Sequence, residues 1–142
     1  MTPTDDRRSG GCLCGAVRFT ARVPKTEADA CHCSMCRRSS GGIAMQVEAA
    51  ELSFEDEGNV GVYRSSDWAE RLFCPSCGSN LVWRMQDGSF TTVSAYAFDP
   101  PFDPPLRIEI FVDEKPEGYA FAGDTSKLTG AEVAALFARP SE

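Results

Sequence analysis

Hydrophobic and polar residues alternate with a period of two along much of this chain, which is the pattern of half-buried β-strands. The clearest case is Leu106–Val112, in which the charged residues share one face. The same alternation predicts further strands at Ala16–Ala21, Asn59–Ser65, Asn80–Met85 and Ser89–Ala95. Asp87-Gly88 and the proline-rich segment 99–105 mark turns between them. We therefore expect a mainly β protein.

Two short segments depart from this alternation and predict helices. Ser34–Ser39 is expected to form a short helical turn that ends at Gly41-Gly42. Thr129 and Glu132 have the spacing of a capping box, which predicts a C-terminal helix over Ala131–Ala138. Because no repeat or linker interrupts these elements, we expect a single domain over residues 1–142, with its core at about residues 11–138.

The composition and net charge limit the kinds of partner that we expect this protein to bind. No segment approaches the ~18 consecutive apolar residues of a membrane span, and the N-terminal segment MTPTDDRRSGG lacks the apolar stretch of a secretory signal. The formal net charge of −7 opposes nonspecific binding to nucleic acid, which depends on Lys and Arg at phosphates. We therefore expect a cytoplasmic protein that binds neither nucleic acid nor membranes.

Seven cysteines in three local groups are the main chemical feature of the chain. In a reducing compartment such cysteines are more often metal ligands or catalytic groups than disulfides. Two groups are pairs followed by a glycine, which lets the chain bend so that both sulfurs reach one ion. The pairs are Cys12 with Cys14 and Cys74 with Cys77, and the third group is the triplet Cys31, Cys33 and Cys36.

Tetrahedral coordination decides how these groups combine. Joining the triplet to a pair would offer five sulfurs to one ion, whereas joining the two pairs offers the four that zinc accepts. We therefore predict a closed structural zinc site made of Cys12, Cys14, Cys74 and Cys77. The second zinc site is made of Cys31, Cys33 and Cys36. Three protein ligands leave a fourth position for water or substrate, as in catalytic zinc sites.

Three further residues accompany the triplet. His32 is the only histidine, and in an extended segment its side chain points away from those of the neighbouring cysteines, so we do not expect it to bind the same ion. Either it packs beside the loop and hydrogen-bonds a backbone carbonyl or a thiolate, or it acts as a catalytic acid and base. Arg37 and Arg38 either hold a substrate carboxylate and offset the charge of the site, or are solvated surface cations.

The segments GGCLCGAVRF, ACHCSMCRRSSGG and RLFCPSCGSNL, in this order, resemble the glutathione-dependent formaldehyde-activating enzyme family, which also includes centromere protein V. The similarity extends from about Gly11 to Val112. It implies an all-β fold of several small coiled antiparallel sheets, with one structural and one catalytic zinc on the two cysteine sets given above. It also implies addition of glutathione to formaldehyde to give S-(hydroxymethyl)glutathione, which is the reverse of a carbon–sulfur lyase reaction.

These features favour a zinc-dependent carbon–sulfur lyase-type enzyme that acts on a small-molecule thiol, glutathione or a similar compound. Cys31, Cys33, Cys36 and His32 then form the catalytic site, and two zinc ions per chain are the cofactors. Arg37 and Arg38 bind the substrate through its carboxylate or offset the charge of the site. Zinc lowers the pKa of a coordinated thiol, and the resulting thiolate attacks an electrophilic carbon.

Two alternatives remain open at this point. In the first, both ions are structural and the chain is a non-catalytic, zinc-stabilised protein-binding module, with the fourth position closed by a carboxylate or a partner's side chain. In the second, the triplet is a thiol redox sensor that forms a reversible disulfide and releases zinc under mild peroxide.

Overall fold

A computed structural model describes residues 6–137, which form ten strands and two short α-helices. In chain order these are β1 (Arg7–Gly11), β2 (Arg18–Arg22), β3 (Ala28–Cys31), α1 (Ser34–Ser40), β4 (Ala44–Phe54), β5 (Gly61–Tyr63), β6 (Ala69–Phe73), β7 (Asn80–Met85), β8 (Thr91–Ser94), β9 (Leu106–Ile110), β10 (Ser126–Leu128) and α2 (Gly130–Phe137). The mainly β class is confirmed. The chain divides into two compact units, one made of the residues up to Thr26 with Gln46–Pro104, the other of Glu27–Met45 with the residues from Pro105 onward.

The first unit is an antiparallel sheet. Its strands lie in the order β1-β2-β4-β8-β7-β6-β5, and each neighbouring pair is antiparallel. Alternate side chains from several strands form its core, and Phe19, Val47, Leu72 and Val93 are each at most 1% exposed. Because β1 and β6 both end directly before a cysteine, the sheet brings Cys12 and Cys74 to the ends of two of its strands.

The second unit contains a small parallel sheet with β9 between β3 and β10. The family resemblance implied antiparallel sheets, whereas these three strands pair in parallel, since long connections along the chain separate them. Parallel strands end at the same edge of a sheet, and Cys31 at the end of β3 pairs with Ile110 at the end of β9. The loop that carries the cysteine triplet therefore starts at this edge.

Both predicted helices are present. Cys33 is the N-cap of α1, and the helix ends at Gly41, which has a φ of 76° and donates its N–H to the Arg37 carbonyl. In the capping box of α2, Thr129 N–H donates to Glu132 Oε1 at 2.8 Å and Glu132 N–H donates to Thr129 Oγ1 at 3.2 Å. The predicted last residue of that helix, Ala138, lies outside the described residues. Within residues 6–137, no helix has the length and apolar character needed to cross a membrane.

Candidate metal centres

Four cysteines from two distant loops converge in the first unit. The Sγ atoms of Cys12, Cys14, Cys74 and Cys77 all lie within 4.8 Å of one another. The Sγ atom of Cys14 is 3.6 Å from that of Cys12 and 3.8 Å from that of Cys74. An ion with tetrahedral Zn–S bonds of ~2.3 Å requires sulfur–sulfur distances of ~3.8 Å. The spacing of this four-cysteine cluster therefore fits one tetrahedral metal ion.

Each loop of the four-cysteine cluster is a tight turn whose backbone N–H groups point at sulfur. Val17 N–H donates to Cys12 Sγ at 3.2 Å, and Cys77 N–H donates to Cys74 Sγ at 3.4 Å. The turn at residues 74–78 needs a positive φ, which Gly78 adopts at 81° without strain. Such N–H groups stabilise thiolates, which are the form of cysteine that binds a metal.

Ser79 joins the two loops of this cluster and was not predicted from the sequence. Its Oγ atom accepts a hydrogen bond from Leu13 N–H at 3.0 Å and lies 3.1 Å from Cys77 Sγ. Since the hydroxyl accepts from Leu13, its own hydrogen can be donated to the Cys77 sulfur. This bond is the main cause that lowers the pKa of Cys77 to about 5.

The three cysteines of the second unit also converge. The Sγ atoms of Cys31, Cys33 and Cys36 lie within 4.8 Å of one another, and among residues 6–137 no further Cys, His, Asp or Glu joins this three-cysteine cluster at that spacing. Cys31 and Cys36 are buried, whereas Cys33 is partly exposed. The start of α1 fixes the last two, because Cys36 N–H donates to Cys33 Sγ at 3.3 Å.

The thiols of Cys31 and Cys33 differ in pKa. Hydrogen bonds from the Cys31 and Cys36 thiols lower the pKa of Cys33 to about 2. The same contacts to Cys33 and Cys36, together with burial, raise the pKa of Cys31. Of these two thiols, the partly exposed Cys33 is the more readily deprotonated, and three close cysteine sulfurs are a donor set that fits a zinc ion.

His32 lies beside this cluster and has no exposed surface. Its Nε2 atom is 2.9 Å from Glu109 Oε1, and its Nδ1 atom is 2.8 Å from Tyr119 Oη. The imidazole therefore bonds neither a backbone carbonyl nor a thiolate through these nitrogens. Instead it lies between a buried carboxylate and a phenol, and its ring packs against those of Tyr119 and Phe121.

Glu109 and Tyr119 were not among the predicted site residues. Burial alone raises the pKa of Glu109, but hydrogen bonds from Thr125 and His32 and the charge of Lys127 bring that pKa below its ordinary value. Glu109 is therefore a carboxylate at neutral pH although it is only 2% exposed. Burial raises the pKa of Tyr119, so its phenol stays protonated at neutral pH.

The two predicted substrate-binding arginines have different surroundings. Arg37 Nε donates to the His32 carbonyl at 3.0 Å, so this side chain is partly used to hold the loop. Arg38 follows it on α1 and is exposed. No disulfide joins any of the seven cysteines, all of which lie within the described part of the chain.

The fold and the two clusters define a β-rich protein with two cysteine sites that can bind metal ions. A family model described as "Glutathione-dependent formaldehyde-activating enzyme" matches residues 7–114. The chain therefore belongs to this family, which confirms the resemblance drawn from the three cysteine motifs.

Relatives of this chain agree with that assignment. A Schizosaccharomyces pombe protein named as an uncharacterized lyase is 32% identical over 126 residues, which cover 87% of this chain and 92% of the relative. A Halomonas elongata protein that carries the family's name is 31% identical over 122 residues, covering 76% of each chain. A crystal structure of a Rhodobacter sphaeroides protein matches with a TM-score of 0.56 and 24% identity over 69% of this chain and 98% of that one, which supports the fold.

Proposed function

We propose that this protein is a zinc-dependent lyase-type enzyme that catalyses the reversible addition of a small thiol, glutathione or a similar compound, to formaldehyde. In the forward direction a bond forms between the thiol sulfur and the formaldehyde carbon, the C=O bond becomes a single bond, and the thiol proton ends on the oxygen. In the reverse direction the same carbon–sulfur bond breaks. Family membership and the names of the relatives support this reaction.

The observation that carries the proposal is the difference between the two cysteine clusters. The first presents four sulfurs at tetrahedral spacing, and the second presents three. Three protein ligands are typical of a catalytic zinc site because they leave a position for an incoming molecule. We assign the structural ion to the four-cysteine cluster and the catalytic ion to the three-cysteine cluster.

The residues in and around the three-cysteine cluster would have different roles in this reaction. A zinc ion bound there would supply the Lewis acidity that lowers the pKa of an incoming thiol. Cys31, Cys33 and Cys36 would hold that ion, and Cys33 is the most exposed of the three. Arg38 is exposed on α1, and in this proposal it would attract a carboxylate of the thiol substrate while Arg37 adds to the positive charge.

The assignment is tested by replacing one ligand of the three-cysteine cluster. We expect Cys36→Ser to lose about one metal ion per chain, because serine is a poor zinc ligand. In cobalt-substituted protein, the spectral change caused by added glutathione should disappear with that ion. Formation of the hydroxymethyl adduct, followed by NMR above the uncatalysed rate, should also be lost.

Cys77→Ser is the matched control, because it removes a ligand from the other cluster and should leave the response to glutathione in place. The assignment is wrong if Cys36→Ser keeps both ions and still responds to thiol. A wild-type cobalt spectrum that glutathione does not alter would favour the protein-binding module. A reversible disulfide within the triplet and metal release under mild peroxide would favour the redox sensor.

A further inference from the structure

His32 is held at four points. Its backbone N–H donates to the Ile110 carbonyl at 3.0 Å, and its carbonyl accepts from Arg37 Nε at 3.0 Å. Its ring nitrogens bond Glu109 at 2.9 Å and Tyr119 at 2.8 Å. Because a carboxylate only accepts hydrogen bonds, Nε2 must carry the hydrogen that it shares with Glu109, and this fixes the orientation of the ring. A fully buried side chain with these bonds has a single position available.

Glu109 is itself anchored. The oxygen that does not face His32 accepts a hydrogen bond from the Thr125 hydroxyl and lies 3.7 Å from Lys127 Nζ. Lys127 also donates to Thr125 Oγ1 at 3.0 Å. These contacts connect Glu109 in β9 with Lys127 in β10 and with Thr125, which precedes β10. The carboxylate that orients His32 is therefore part of the sheet rather than of a loop.

This arrangement acts on the cysteines because His32 lies between two of them in the chain. Fixing its backbone and its ring also fixes the directions in which the side chains of Cys31 and Cys33 leave the backbone. We propose that Glu109 and Tyr119 are positioning residues of the three-cysteine site, which hold His32 so that the flanking cysteines keep the spacing that binds the ion. This inference rests on the proposed function, since it takes that cluster to be a metal site.

The geometry also bears on whether His32 is instead an acid and base that exchanges protons directly with substrate. A residue that exchanges a proton directly with substrate must come within hydrogen-bond distance of it. The imidazole has no exposed surface, and protein groups take both of its nitrogens. This geometry favours a role of His32 through the cysteines on either side of it over direct proton exchange with substrate.

Two substitutions test the inference with little change in shape. Glu109→Gln removes the charge that orients His32 and replaces the carboxylate that accepts from the Thr125 hydroxyl with an amide. Tyr119→Phe removes only the phenol oxygen and keeps the ring. In cobalt-loaded protein we expect each to weaken binding at the three-cysteine site by about ten-fold, as for other residues that orient metal ligands. The thiol-responsive part of the cobalt spectrum should shift, and chelator competition measures the affinity. The ion of the four-cysteine cluster is the internal reference.

Glu70→Gln is the matched control, because Glu70 is also a buried carboxylate paired with a cation, Arg84 at 2.8 Å, but belongs to the first unit. It should lower stability without changing the affinity of the three-cysteine site. One result would overturn the inference although wild type binds two ions and responds to thiol. In that result Tyr119→Phe, and Glu109→Gln if it folds, have the same metal affinity at the three-cysteine site and the same cobalt spectrum as wild type. A wild-type protein that binds no metal through the triplet overturns the proposed function, and this inference with it.

Discussion

The Ser79 hydroxyl contacts both loops of the four-cysteine cluster, and its loss should be measurable in metal binding. Ser79→Ala removes the acceptor of Leu13 N–H and the donor to Cys77. We expect about ten-fold weaker metal binding at this cluster, because groups that orient metal ligands contribute about that much. Chelator competition measures the effect, and Ser79→Thr should restore most of the affinity. Ser76→Ala is the control, since Ser76 is exposed in the same loop; equal affinities for the two alanine variants would contradict the prediction.

Some of the site residues could be predicted from the sequence, and others could not. The cysteines could be grouped from spacing and ligand number alone, because metal-binding pairs are close in the chain and their chemistry is distinctive. Glu109 and Tyr119 could not be found in this way, since they contact His32 across 77 and 87 positions of the chain. Ser79 is only two positions from Cys77, but its contact with Leu13 spans 66 positions and has no local signal. For Glu109 the local pattern pointed the wrong way: a charge on the polar face of an alternating strand indicates exposure, yet this side chain is buried.

At the level of elements, the end of α1 offers two neighbouring glycines that differ in backbone conformation. A Cβ atom at either Gly41 or Gly42 would meet no atom within 4 Å, but only Gly41 has a positive φ, of 76°. We therefore expect Gly41→Ala to lower the free energy of unfolding by about 1 kcal/mol through backbone strain, whereas Gly42→Ala should be neutral or slightly stabilising. Denaturant unfolding of the two variants measures the difference. Equal effects would mean that α1 does not end in the left-handed conformation at Gly41.

Helices and strands could be predicted from the sequence where the local pattern favours the same structure as the tertiary pairing does. β7 has the predicted bounds, and both helices begin within a residue of the predicted position because a cap or a capping box marks them. β4 was missed, because AMQVEAAELSF is rich in Ala, Glu, Leu and Met, which favour helices in isolation. Its conformation is decided by pairing with β2 and β8, which no local signal reveals. The short strand β3 was also missed, although it ends at Cys31.

For the whole molecule, the two clusters differ in the length of chain that a bound ion would close. Cys14 and Cys74 are 60 positions apart, so an ion held by the four-cysteine cluster joins distant parts of the chain. The triplet lies within the single segment Cys31–Cys36, and an ion there closes only a local loop. Because the entropy cost of closing a loop grows with its length, an ion that stays bound at the four-cysteine cluster would remove more freedom from the unfolded chain than an ion at the triplet.

Ions bound at the two clusters would therefore contribute unequally to the stability of the folded protein. Cys74→Ser and Cys36→Ser are matched substitutions, since both side chains are buried, at 0% and 6% exposure. The logarithmic dependence on loop length makes the loss for Cys74→Ser larger by about 2 kcal/mol, if each variant loses only the ion of its own cluster and the remaining ions stay bound to the unfolded chain. Denaturant unfolding in excess metal, with metal content measured on the same samples, tests this. A variant at Cys36 that is as destabilised as the variant at Cys74 would show that loop closure does not set the balance, and that the three-cysteine ion supports the fold as strongly as the closed one.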